Sequence, residues 1–173
     1  VDGGAGGGRS GRPCPSGAFV TAARVLTAAI ARGWRIATAE SCTGGMVAAA
    51  LTDIPGSSAV FDWGVVTYSD TAKIQLLGVS DATLAAHGAV SEQVAAEMAR
   101  GARTRSGADL ALSVTGIAGP GGSAHKPEGR VCFGLCTADG TRTETVEFGG
   151  RGRAQVRRAS VDHALRMALS ALG

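Results

Sequence analysis

The stretch TAESCTGG, residues 38–45, sets an acid, a hydroxyl, a thiol, a second hydroxyl and two glycines in succession directly after the apolar run WRIA. That composition suits a tight turn between a strand and a helix, where free backbone N–H groups can face an oxyanion or a phosphate. Ser41 stands between the strand end and the glycines, a position open to a nucleophile and equally to a plain helix-capping hydroxyl. Cys42 is the rival, because thiols attack well and a helix N-terminus lowers their pKa. Adjacent side chains point in different directions, so only one of the two can face a pocket.

A serine hydroxyl needs a base, and the histidines are poor candidates. His87 precedes a glycine in a linker, His125 sits in a glycine-rich loop and His163 lies in the last apolar-periodic segment. Lys73, which closes YSDTAK, fits better, since a Ser-Lys pair is a known nucleophile–base arrangement. Such a lysine must be neutral when it takes the proton, so burial or a neighbouring cation has to lower its pKa. The other reading of Lys73 is an exposed helix lysine. Tyr68, the single tyrosine of the chain, could relay a proton or orient a substrate, or it could pack with its hydroxyl at the surface.

Two further segments suit recognition. TGIAGPGG, residues 115–122, is a glycine-rich loop after an apolar strand; Thr115, Gly116 and Gly119 could bring a hydroxyl and backbone amides to a ribose or phosphate, or form only a flexible turn. RGRAQVRR places Arg151, Arg153, Arg157 and Arg158 at the start of the final helix, where cations oppose the helix dipole. That placement is easier to understand if some of them meet an anion such as a 5′-phosphate.

The whole chain narrows the alternatives. Its 173 residues are enough for one domain with a real core. Hydrophobic residues make up 45% and charged residues 18%, and no uninterrupted apolar stretch reaches the length of a membrane span. A net charge of +3 and 4% aromatic residues make a weak footprint for nucleic acid. The four cysteines, Cys14, Cys42, Cys132 and Cys136, are too few and too irregularly spaced for a disulfide scaffold, and no CxxC pair suggests zinc. The expectation is a cytoplasmic protein with no metal and no organic cofactor, acting on a small molecule without nucleic-acid or membrane partners; self-association is left open. The opening VDGGAGGGRSGRPCPSG, residues 1–17, has almost nothing to bury and reads as a flexible tail.

The elements that must position these side chains follow from periodicity. Helices are predicted over residues 18–33, 44–56, 71–79, 91–107, with Ser91 as N-cap, and 153–172. Strands are predicted over 34–40, 60–69, 108–116, 129–138 and 141–150, the last two joined by the turn Asp139-Gly140. Strands alternating with helices imply a three-layer α/β/α domain around a mostly parallel sheet, and the direct strand-turn-strand adds one antiparallel strand. Ligands bind such sheets at the carboxyl ends of the strands, where AESCTGG, TYSDTAK and VTGIAGPGGSAHKPEG would converge.

TAESCTGG, DIPGSSAVFDWGVVTYSDTAK, HGAVSEQVAAEMARGAR and SVTGIAGPGGSAHKPEGRV occur in the order found in the CinA carboxy-terminal domain family. The chain resembles that family from about residue 18 to its end. The resemblance implies an α/β/α fold and the chemistry of the family's stand-alone members, hydrolysis of the nicotinamide mononucleotide amide to nicotinic acid mononucleotide and ammonia. It maps the catalytic serine onto Ser41 and leaves Cys42 as packing. Lys73 and Tyr68 then complete the catalytic group, and Thr43, Gly44, Gly45, Thr115, Gly116, Gly119, Arg153 and Arg157 the substrate-binding set. Longer members also carry an amino-terminal molybdopterin-binding-like domain, which this sequence is not expected to include. Two positions depart from the pattern: Asp70 stands where the family has Asn, and Gly152 replaces an acid before Arg153. Both departures support a second expectation, a non-catalytic nucleotide-binding module of the same fold.

Overall fold

The computed structural model describes residues 17–173, so the segment read as a tail lies, up to residue 16, outside the described residues. The first helix, α1 (Gly17–Arg32), buries Ala22, Val25, Leu26 and Ala29 along one stripe, as its 3.6-residue period requires. Strand β1 (Ile36–Glu40) is buried throughout and leads through the turn at residues 41–45 into the short helix α2 (Met46–Thr52). Strand β2 (Phe61–Val66) alternates half-buried and exposed residues, the mark of an edge strand. Then come α3 (Asp70–Leu77), α4 (Asp81–His87), α5 (Glu92–Ser106), β3 (Leu110–Gly116), the hairpin β4 (Arg130–Thr137) and β5 (Gly140–Glu147), and α6 (Arg153–Leu172).

The five strands form one sheet in the order β2-β1-β3-β4-β5. β1 pairs parallel with both β2 and β3, while β4 pairs antiparallel with β3 and with β5. A single strand, β4, therefore runs against the other four, which is the expected mixed sheet. Helices cover both faces. On one, α1, α2 and α6 bury Ile36, Leu110, Leu112, Val114, Val131, Phe133 and Leu135.

The opposite face is built for close approach. It presents Ala37, Ala39 and Ala111 beneath α5, with α3 and α4 packed beside α5. Ser113 donates to the Ala95 carbonyl of α5 at 2.6 Å, and a Cβ on Gly134 would lie only 2.5 Å from that same oxygen. Small residues thus let α5 press onto the sheet, an arrangement that a larger side chain at 134 would force apart.

Several boundaries differ from the sequence reading. The helix expected over 44–56 is confined to Met46–Thr52, because Gly44 and Gly45 adopt positive φ (60° and 94°) and form the turn instead. Residues 80–90, read as a linker, contain α4, whose Ser80 N-cap accepts from the Thr83 amide and whose C-cap is Gly88. Tyr68 lies beyond the end of β2 rather than in it. Cys132 and Cys136 are both buried residues of β4 with free thiols, not joined in a disulfide.

Candidate active site

The carboxyl ends of β1, β2 and β3 meet at one edge of the sheet, and the turn at 41–45 crosses it. The Ser41 amide donates to Val114 of β3 (2.8 Å), and the Thr67 amide donates to Glu40 (2.8 Å), so both neighbouring strands hold the turn's base. The Glu40 side chain, 1% exposed, reaches forward across the turn. Its carboxylate accepts from the amides of Gly45 (3.0 Å), Val47 (3.0 Å) and Ala48 (2.9 Å). Those are the orphan donors of the first turn of α2, for which the N-cap residue Gly45 provides no side-chain acceptor. Glu40 is therefore the capping group of α2, and the sequence reading assigned it no role.

That capping leaves a specific pair of donors over. Gly44 N–H donates to Ser41 O and Met46 N–H to Thr43 O, while the amides of Cys42 and Thr43 donate to no oxygen among the described residues. Of the two, the Cys42 N–H directly follows Ser41 and is the one that could face an oxyanion, since Thr43 is fully buried.

Ser41, 8% exposed, has its Oγ 3.4 Å from the Nζ of Lys73, at the long end of hydrogen-bond range. Thirty-two residues separate the two in sequence. Lys73 is 1% exposed and also donates to Thr67 O at 3.0 Å. Helix α3, which carries it, is capped by Ser69, whose hydroxyl accepts from the Ala72 amide. Burial lowers the Lys73 pKa from its ordinary 10.5, the direction a general base requires. The carboxylate of Asp70, 3.8 Å from Nζ, opposes that effect, as does Cys42 more weakly.

Cys42 faces the other way, into the core beneath α1, α2 and α6. Burial pushes its thiol up to about 12, so at neutral pH it is a packing group without thiolate character. Tyr68 is 59% exposed, and its hydroxyl accepts from Arg153 Nη2 rather than meeting Ser41 or Lys73. The structure thus brings Tyr68 to the rim of the site but not into contact with the Ser-Lys pair.

The residues expected to read the substrate are largely engaged with the protein. Arg157 donates from Nε to Cys42 O (3.1 Å) and from Nη2 to Thr43 O (2.9 Å), so it clamps the turn. Arg153 donates from Nη1 to Gly119 O (2.9 Å) and bridges the glycine-rich loop to Tyr68. Thr43 is fully buried, backbone included. Thr115 donates to Ala89 O (2.8 Å) and ties β3 to the segment before α5. A Cβ on Gly116 would lie 2.7 Å from Val131 Cγ2, and one on Gly119 2.4 Å from Glu128 Oε1, so both glycines permit close packing of the loop. Gly44 and Gly45 lie beside Arg157 and Val66 respectively. His163 pairs with Glu144 (2.9 Å), whereas His87 and His125 are exposed. Among the described residues no group of three or more His, Cys, Asp and Glu gathers as metal ligands, and no helix is long and apolar enough to cross a membrane.

The domain is a mixed α/β/α sandwich that sets a serine hydroxyl beside a buried lysine amine at the carboxyl edge of its parallel strands, in a strand-to-helix turn. The chain belongs to the CinA C-terminal domain family, whose profile matches residues 19–172. It is 59% identical over 122 residues to the nicotinamide-nucleotide amidohydrolase PncC of Enterobacter agglomerans, covering 69% of this chain and 74% of that one. It is 56% identical over 139 residues to a CinA-like protein of Chlorobium limicola, covering 77% of this chain but 32% of the relative, so it spans about a third of that protein's length. The crystal structure of the competence/damage inducible protein CihA from Agrobacterium tumefaciens is similar, with a TM-score of 0.88 and 47% identity over 93% of this chain and 98% of that one.

Proposed function

We propose that the chain hydrolyses the carboxamide of nicotinamide mononucleotide through an acyl-enzyme on Ser41, releasing ammonia and nicotinic acid mononucleotide. The observation that carries this reading is the buried Lys73 amine beside the Ser41 hydroxyl, in a chain 59% identical to a named nicotinamide-nucleotide amidohydrolase. Neutral Lys73 takes the Ser41 proton as Oγ attacks the amide carbon, and the oxyanion forms toward the Cys42 amide. The Lys73 ammonium then returns that proton to the departing nitrogen. Water attacks the ester with Lys73 again as base, and Ser41 Oγ leaves with a proton.

The turn's rigidity supports this assignment. Glu40 caps α2 from beneath, the Gly44 amide holds Ser41 O in the peptide unit that carries the Cys42 amide, and Arg157 holds the carbonyls of residues 42 and 43 from α6, so the turn is fixed without substrate present. Arg153 remains the candidate for the 5′-phosphate because it is exposed at the rim.

Ammonia release from nicotinamide mononucleotide, measured for the unsubstituted chain, Ser41→Ala and Cys42→Ala, tests the proposal. Turnover lost on the first substitution and kept on the second is the expected pattern. Saturable binding with no ammonia would instead identify a binding module.

A further inference from the structure

Asp70 holds a charge that the hydrolytic steps do not use. It is the first residue of α3, its side chain is 60% exposed, and its Oδ1 lies 3.8 Å from Lys73 Nζ, itself 3.4 Å from Ser41 Oγ. The capping bond of that helix is made by Ser69, not by Asp70. Of the other charges near this edge, the carboxylates of Glu40 and Glu128 are turned to backbone amides and Arg157 to the carbonyls of the turn, while two further cations stand there, Lys73 beneath the edge and Arg153 on the rim beside Tyr68. A site of that composition repels a positive ring unless an anion offsets the two cations.

We propose that Asp70 recognises the positive charge of the substrate's ring, so that the site selects cationic pyridinium carboxamides over neutral aromatic amides. This rests on the reading of the chain as a nicotinamide-nucleotide amidohydrolase. The carboxamide carbon must meet Ser41 Oγ, and it is bonded directly to the ring. The ring's charge is therefore held within one ring-width of the nucleophile, on the scale at which Asp70 stands across Lys73 from the same oxygen. A pyridinium there takes over the carboxylate's interaction with the lysine ammonium. It also disfavours that ammonium directly, so a cationic substrate promotes the neutral form of its own base. For a part-exposed pair about 5–6 Å apart, the attraction corresponds to roughly 5- to 20-fold in affinity at low salt.

The test is calorimetric titration of protein carrying Ser41→Ala, with and without Asp70→Asn. The ligands are nicotinamide mononucleotide and its neutral benzamide counterpart, which keeps the same ribose phosphate. Asp70→Asn should weaken the cationic ligand roughly 5- to 20-fold and the neutral one less than about 2-fold, while Asp70→Glu should retain the discrimination. Using the ratio removes any effect common to both ligands, such as a change in the loop. Equal losses, no losses, or failure of both ligands to bind would overturn the inference. Ammonia release by the unsubstituted chain is scored separately. Its absence with discrimination intact removes the hydrolase reading alone, and its presence without discrimination removes the role of Asp70 alone.

Discussion

Replacing Glu40 by glutamine changes two atoms' chemistry and almost no volume, yet it should loosen the turn that carries the nucleophile. The carboxylate accepts three amides, Gly45 and Val47 on one oxygen and Ala48 on the other. Glutamine can keep one oxygen for two of them but must set its NH2 against the third, or lose two to save one. A charge-assisted bond lost is worth about 1.5–3 kcal/mol, and the donor left buried costs about 1–3 kcal/mol more. Against this, no salt bridge among the described residues neutralises the buried carboxylate, so a neutral amide is cheaper to desolvate and returns part of the loss. The balance is roughly 2–4 kcal/mol, a fall in melting midpoint of about 6–12 °C for a domain of this size. Scanning calorimetry measures that shift directly. The turn also aligns Ser41 and the Cys42 amide, so kcat should fall at least ~10-fold with a smaller change in KM. A Glu40→Gln protein that melts within about 2 °C of the parent and keeps its kcat would refute the capping argument.

Three other outcomes follow from the same geometry. With its pKa at about 12, the Cys42 thiol should resist iodoacetamide in the folded protein at pH 8 and react only on unfolding; labelling at the rate of an exposed thiol would show the side chain faces solvent. Lys73→Met should remove turnover by roughly 10²- to 10⁴-fold yet raise the melting point at pH 7, because folding no longer has to desolvate or deprotonate an amine that is charged in the unfolded chain. The sign follows from the lowered pKa: between the folded value and 10.5 the unfolded chain binds more protons, so the parent gains stability as pH rises through that window while the Met variant lacks this slope, and a variant that melts lower at pH 7 would contradict it. Arg157→Lys should lower kcat about 10-fold with KM little changed, since a point charge cannot hold two carbonyls in a fork; a pure KM effect, confined to phosphorylated substrates, would return Arg157 to the phosphate.

The parts of this account that the sequence displays are those set by periodicity and by chain-local chemistry. β1 and β3 read as short strands of small and apolar residues, buried along their length because both faces are covered, and the Asp139-Gly140 turn marked the hairpin between the antiparallel β4 and β5. Ser41 was recognisable as a candidate because a hydroxyl before paired glycines marks a strand-to-helix turn. What stayed hidden depends on which donor finds which acceptor in three dimensions. Glu40 is an ordinary strand-end acid until its side chain folds forward over five to eight residues onto α2. Helix α4 has a Ser80 cap and a closing glycine but buries no residue fully, so its hydrophobic period is faint. Arg153 and Arg157 read as anion binders because the sequence shows charge at a helix start, while the carbonyls they meet come from residues 119, 42 and 43.

The central claim is that nicotinamide mononucleotide passes through a covalent bond to Ser41 activated by Lys73. Rapid acid quenching of a single turnover, followed by peptide mass mapping, tests it most directly. The account predicts that the peptide containing residues 38–45 transiently gains the acyl nucleotide on Ser41, at a rate no slower than ammonia release, and that Lys73→Met slows its appearance. An adduct on Cys42, or ammonia released in the first turnover from protein carrying Ser41→Ala, would contradict it.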